Sequence, residues 1–215
     1  MKEVFVYVEG PSDQLAMRAL LDGPAHLAGK QGCSLDFFPL KNKRALLNKE
    51  PRKALNILRN KPNSFVFLVP DLYPRNMPFP HATYEELKKE VERRFEVELR
   101  EKGADERLKE RFRVHCFKYD LEVLLLASEE SLLKRLNVGT FSRKWVKPAE
   151  DQNHDNPPKR IVEALFSDSQ MRYRDTIDAP WILERSDYRV LQTRCTQNFR
   201  PFLEELFAIL ELRLP

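Results

Sequence analysis

The run Phe65-Val-Phe-Leu-Val69 constrains this chain more than any other feature. Five consecutive apolar residues, four of them β-branched or aromatic, are bounded by Asn63-Ser64 and Pro70. A strand with one wet face alternates apolar with polar residues, whereas a strand covered on both faces does not. Ser64–Val69 therefore reads as the central strand of a parallel sheet with helices above and below it.

The rest of the chain supplies the other layers. Residues 3–9, EVFVYVE, form a strand stopped by Gly10-Pro11, and Ser12 caps a helix that runs to about residue 28 with Leu15, Ala19 and Leu20 on one face. Leu35–Pro39 is a second strand. A basic helix follows, restarted at Pro51 and turning Ala54, Ile57 and Leu58 away from Arg52 and Arg59. Four prolines (Pro70, Pro74, Pro78, Pro80) make an ordered, irregular loop. Tyr84 to Lys102 is a helix with the stripe Tyr84, Leu87, Val91, Phe95 and Leu99. Arg113–Phe117 is a fourth strand leading into a helix over Leu121 to Ala127; after an irregular stretch from Asn137 to Pro158 come helices at Ile161–Phe166 and Phe199–Leu212. Four strand-to-helix alternations predict an α/β fold, a Rossmann-like parallel sheet flanked by helices. Residues 1–136 form its core and 137–215 a helical C-terminal extension packed on it.

Composition narrows the chemistry. The three cysteines, Cys33, Cys116 and Cys195, have no C-x-x-C spacing, so they are expected to be reduced, buried thiols of a cytoplasmic protein rather than disulfides or zinc ligands. The four histidines lack H-x-x-x-H spacing; His115 reads as a core histidine, and His81 follows the loop nearest the acidic edge. Gly23 to Lys30 approaches a P-loop, but its glycines stand one residue too far apart and Gln31 replaces the hydroxyl that would hold magnesium. Nucleotide hydrolysis by this chain is therefore not expected. No stretch has the length of a transmembrane helix, and no secretory signal is recognisable. Net charge is only +4, yet from Lys41 to Lys61 eight cations (Lys41, Lys43, Arg44, Lys49, Arg52, Lys53, Arg59, Lys61) face the single acid Glu50. Such a run suits a polyanion as well as it suits solvent.

Ligands of open parallel sheets bind beyond the C-terminal strand ends. Glu9 ends the first strand, Asp13 lies on the turn after it, Asp71 follows the third strand, and Asp120 and Glu122 follow the fourth. Carboxylates converging at one edge repel one another unless neutralised, and a hard divalent cation with oxygen ligands, Mg²⁺ or Mn²⁺, does so.

Val8-Glu9-Gly10-Pro11-Ser12-Asp13 resembles the V-E-G-x-x-E/D signature of the TOPRIM domain of topoisomerases, bacterial primases and OLD-family nucleases. The family's D-x-D becomes Asp71-Leu72-Tyr73 here, which is similar to a stand-alone TOPRIM-like branch of unknown function with D-x-Y and a later F-P, present as Phe79-Pro80. Tyr119-Asp120-Leu121-Glu122-Val123-Leu124-Leu125-Leu126, Pro157-Pro158-Lys159-Arg160-Ile161 and Arg194-Cys195 with Phe199 match that branch's further segments in order. The resemblance implies a metal-dependent phosphodiesterase acting on DNA or RNA. Glu9 would be a metal ligand or general acid/base, Asp71 and Glu122 metal ligands, and Asp13 and Asp120 auxiliary ligands. Tyr73 removes one carboxylate of the usual pair, which leaves one metal or two, with Asp120 or Asp13 as the replacement. Lys159 is expected at the scissile phosphate, and Arg160 beside it with Lys41, Lys43, Arg44, Arg52, Lys53 and Arg59 on the nucleic acid. Analogy with OLD-type systems implies a separately encoded ATPase partner and a role in phage defence. The rival readings are a binding module without catalysis, and a small-molecule phosphohydrolase.

Overall fold

A computed structural model describes residues 1–40, 43–73 and 81–213, with backbone alone for 43–48. Its centre is a four-stranded, wholly parallel sheet in the order β2-β1-β3-β4: β1 Lys2–Val8, β2 Cys33–Pro39, β3 Ser64–Val69 and β4 Phe112–Val114. The α/β class and parallel sheet expected from the alternation are the ones observed.

Side-chain alternation divides the sheet into two apolar layers. Val4, Val6 and Val8 of β1, with Phe67 and Val69 of β3, face α1 (Pro11–Leu20), α2 (Asp22–Lys30) and the C-terminal helices. Phe5, Tyr7, Val66 and Leu68 face α3 (Lys43–Asn60) and α4 (Tyr84–Glu101). β3 contributes to both layers, which is why its sequence cannot alternate. In α4 the stripe Leu87, Val91, Phe95 and Leu99 is buried throughout, and Phe95 stacks on Phe112 of β4 at 4.1 Å between ring centroids. The remaining helices are α5 (Glu122–Ala127), α6 (Glu129–Leu136), α7 (Pro158–Asp168), α8 (Asp175–Glu184), α9 (Tyr188–Arg194) and α10 (Phe199–Leu210). Leu165, Ile182, Leu191 and Phe207 from four of them join the same apolar cluster as β1 and α1.

Several local expectations are corrected. The helix after β1 is two helices broken at Leu21, because Pro24 has no N–H to continue the bonding ladder through that turn. Ser12 does not cap α1. Gly10 occupies the cap position, and the Asp13 carboxylate reaches back to accept its N–H at 2.9 Å. Pro51 lies inside α3 instead of restarting it, buried with Ala54, Leu55 and Leu58 on the inner face. β4 is shorter than Arg113–Phe117, but backbone pairing continues beyond it: His115 N–H donates to Leu68 O at 2.9 Å and Leu72 N–H to Phe117 O at 2.8 Å. That continued pairing keeps the chain after β3 beside the chain after β4. Helices α6, α8 and α9 have no counterpart among the elements expected from the sequence.

Candidate functional site

β1 and β3 are neighbours, yet the chain leaves β1 toward β2 on one side and β3 toward β4 on the other. Where such connections diverge, an open parallel sheet has a crevice at its C-terminal edge. Glu9 and Asp71 lie there, the Asp71 N–H donating to Glu9 Oε2 at 3.2 Å. The Asp13 carboxylate, fixed by Gly10, sits beside them, and α5 begins so soon after β4 that Glu122 is drawn into the same edge.

The electrostatics show how tight the grouping is. Asp71 is pushed well above the usual carboxylate range, first by burial and then by the charges of Asp13, Glu9, Asp120 and Glu122. Burial and Glu122 push Asp13 up to about 7 against the Gly10 N–H, while burial and Glu122 push Asp120 up to about 8. Glu122, 5% exposed, is raised by burial although Lys159 and the Tyr173 hydroxyl oppose it. Asp71 thus feels each of the other four acids expected from the sequence. Two oxygens are left over: Asp71 Oδ1 and Asp120 Oδ1 are inaccessible to solvent and have no hydrogen-bond partner. Beside Asp120 is the Glu122 carboxylate, which can bond to it only by holding a proton. Unsatisfied buried carboxylate oxygens, crowded by like charge, match the chemistry of a hard cation's ligands. Among the described residues, however, no three His, Cys, Asp or Glu side chains already converge on one metal-holding point.

Lys159 faces this edge, 3.6 Å from both Glu122 Oε1 and Asp175 Oδ2. Burial would lower its ammonium, but Glu122, Asp175 and Asp120 outweigh it and raise it. Its backbone N–H, in the first turn of α7, donates to Asp120 Oδ2 at 3.2 Å. A lysine at a helix N-terminus runs against the helix dipole, and here the compensating anions belong to the chain itself. Arg160 is exposed and donates to Asp155 O at 3.1 Å.

The basic segment is divided. Lys41 and the side chains of Lys43 and Arg44 lie outside the described residues, as do Phe79-Pro80. Arg52, Lys53 and Arg59 are exposed on α3, Lys53 paired with Glu50 at 2.6 Å. Eighteen residues carry α3 about 27 Å from the acidic edge toward the opposite end of the sheet. There Lys61 pairs with Glu3 at the start of β1, 2.7 Å away, so Arg59 is remote from the carboxylates.

His115 is a satisfied core histidine, 2.7 Å from Glu205, and His81 is buried against Leu72 O at 2.9 Å. Cys33, Cys116 and Cys195 are free and buried. Sequence reasoning missed Tyr173, whose hydroxyl donates to Glu122 Oε1 at 3.1 Å, and Asp175. Neither belongs to a motif, and Tyr173 is 51 residues from its partner.

A profile described as a domain of unknown function (DUF4276) matches residues 8–207, and the chain belongs to that family. Among solved structures, the C-terminal region of the Burkholderia pseudomallei OLD protein superposes over 98% of this chain and 99% of its own length, with a TM-score of 0.51 at 14% identity. This is a likeness of fold, and it agrees with the α/β arrangement expected from the alternation of strands and helices. No curated protein sequence matches the chain at a significant level. No helix among the described residues is long and apolar enough to cross a membrane.

Proposed function

We propose that this member of the DUF4276 family is a divalent-metal-dependent nuclease of TOPRIM type. One observation carries the reading: at the switch point of a parallel sheet Asp71 is acted on by four other carboxylates, and Asp71 Oδ1 and Asp120 Oδ1 are buried and unpartnered. Glu9, Asp71 and Glu122 would hold Mg²⁺ or Mn²⁺, with Asp13 and Asp120 completing the set. When bound, the cation would polarise the phosphate and lower the pKa of a water for in-line attack. The chain's own groups do the positioning. The Asp71 N–H fixes Glu9, Tyr173 orients Glu122, and Lys159 can exchange one carboxylate partner for a non-bridging phosphate oxygen. The OLD-like fold supports a separately encoded ATPase as partner and a setting in phage defence.

The test is titration of Mg²⁺ and Mn²⁺ into wild type and Glu9→Ala by calorimetry, followed by incubation of both with plasmid, single-stranded DNA and tRNA. Metal binding and cutting by the wild type alone is the expected result. Cutting by Glu9→Ala at the wild-type rate would refute it.

A second reading, a module that binds nucleic acid or a partner ATPase without catalysis, is favoured by Tyr73 in place of the second acid and by the absence of a ready-made three-ligand set among the described residues. Salt-sensitive nucleic-acid binding without turnover in either ion would select it.

A further inference from the structure

A cavity of about 490 Å³ opens beside the carboxylates, lined by Tyr73, Tyr119, His154, Asp120, Lys159 and Arg160 among others. Three of these are aromatic rings in mutual contact. Tyr73 and Tyr119 have centroids 5.0 Å apart at 34°, and His154 meets Tyr73 edge-on at 4.2 Å and Tyr119 at 5.5 Å. Tyr119 is the buried floor, and His154 is exposed at the rim. The Tyr73 hydroxyl is tied to Ala82 O at 2.8 Å, which fixes that ring.

Rings and cations together select the ligand. An aromatic set alone would suit a quaternary ammonium, but Lys159 and Arg160 offset the pull of Asp120 and Glu163 on the same lining and leave it no net attraction, while offering donors to an anion. An aliphatic chain would gain nothing from a charged rim. A flat π-system joined to an anion satisfies both walls, and the volume falls in the range of sites for single small ligands. Asp120 belongs to the cavity and to the acidic cluster at once, so a base seated among the rings brings its attached phosphate to the carboxylates.

We propose that the Tyr73, Tyr119 and His154 cavity is a stacking subsite for one unpaired nucleobase, so that the substrate strand is single-stranded where it crosses the acidic edge. This rests on the nuclease reading only for what happens to the phosphate. A base paired in a duplex cannot enter, whereas a loop, end or frayed strand can.

The probe is a single-stranded oligonucleotide of about 15 nucleotides carrying 5-iodouracil, bound in Ca²⁺ and irradiated; such bases couple to stacked aromatic side chains with loss of iodide. Crosslinks are expected in peptides holding Tyr73, Tyr119 or His154. His154→Ala combined with Tyr73→Leu, both outside the buried floor, should weaken single-strand binding roughly 5- to 100-fold and leave blunt duplex within about twofold. Crosslinks mapping only elsewhere, equal weakening of both strand forms, or no binding of the single strand would overturn the subsite. A deoxynucleoside monophosphate competing as tightly as the oligonucleotide would overturn the strand and leave a free nucleotide as ligand. Mg²⁺-dependent cutting with crosslinks elsewhere would refute the subsite alone; crosslinks in the cavity without cutting in any divalent ion would refute the nuclease alone.

Discussion

Glu150 and Asp71 are both carboxylates taken out of water by this fold, and it treats them oppositely. Glu150 is 1% exposed, and its oxygens accept backbone N–H groups from Gln197 at 2.7 Å, Asn198 at 2.9 Å and Phe199 at 3.4 Å, at the start of α10. Charge, dipole and donors all agree there, the arrangement expected when a buried acid serves the structure. Asp71 has an oxygen with no donor and four other acids acting on it. A chain able to seat one buried carboxylate so well leaves the other incomplete at the edge where parallel sheets take ligands; Glu50 Oε2 on α3 is also without a donor, but its other oxygen pairs with Lys53. The contrast separates an acid whose hydrogen bonds are complete from acids left crowded and short of donors.

The largest test of that contrast is substitution at both positions, read as melting temperature in EDTA near pH 8. Glu150→Ala strands three backbone donors and should destabilise by about 3 kcal/mol, a fall of roughly 6–12 °C for a domain of this size. Asp71→Asn removes a crowded charge and should raise the melting temperature by a few degrees, about 1 kcal/mol. Shifts of the same sign would break the comparison.

Protonation gives a second, smaller measure. Asp13 and Asp120 are pushed up to about 7 and about 8, burial first and Glu122 next. The folded state therefore binds protons that the unfolded chain releases near the ordinary carboxylate value, so stability is greatest below about pH 4 from these groups and is lost as pH rises through about 8. Metal-free protein should thus melt progressively lower from about pH 5 to about pH 8.5. Added Mg²⁺ at the alkaline end should restore several degrees, since a ligand at 100 times its Kd contributes about 2.7 kcal/mol. A flat or rising metal-free profile would mean the acids are already compensated.

The same two regions mark what could be read in the sequence. Ser64–Val69 and the α4 stripe were legible because burial on both faces, or along one, writes a period into the chain itself. Strand ends follow from the strands, so Glu9, Asp13, Asp71, Asp120 and Glu122 could be placed together before any contact was known. The partners from the C-terminal segments could not. Glu150 is satisfied by residues 47 to 49 positions away, and His154 reaches Tyr73 only because the chain folds back over the sheet edge. Helix α8 also carries no clear stripe: Ile182 and Leu183 are buried while Ile177 is 46% exposed, and Pro180 sits inside it. Local periodicity records which way a face points, not which distant segment covers it.

The smallest predicted effect sharpens the comparison from the side of the cations. Lys159 lies between Glu122 and Asp175 at the acidic edge, whereas Arg59 stands at the other end of α3, near the Lys61–Glu3 pair at the foot of the sheet. A charge about 20 Å or more from the bound strand is screened at ordinary salt, where the Debye length is about 8 Å. Arg59→Glu should therefore change oligonucleotide affinity by less than about twofold at about 0.15 M salt, despite reversing a charge in the most basic stretch of the sequence. Lys159→Gln keeps much of the side chain's length and should weaken binding about fivefold or more, with a shallower salt dependence, as expected when one phosphate contact is lost. Equal losses in the two variants would make the whole face of α3 the nucleic-acid surface, and the acidic edge would lose its claim to the phosphate. Loss at Lys159 alone leaves the acidic edge as the point where polyanion and carboxylates meet, an encounter that like charge forbids unless a cation lies between them.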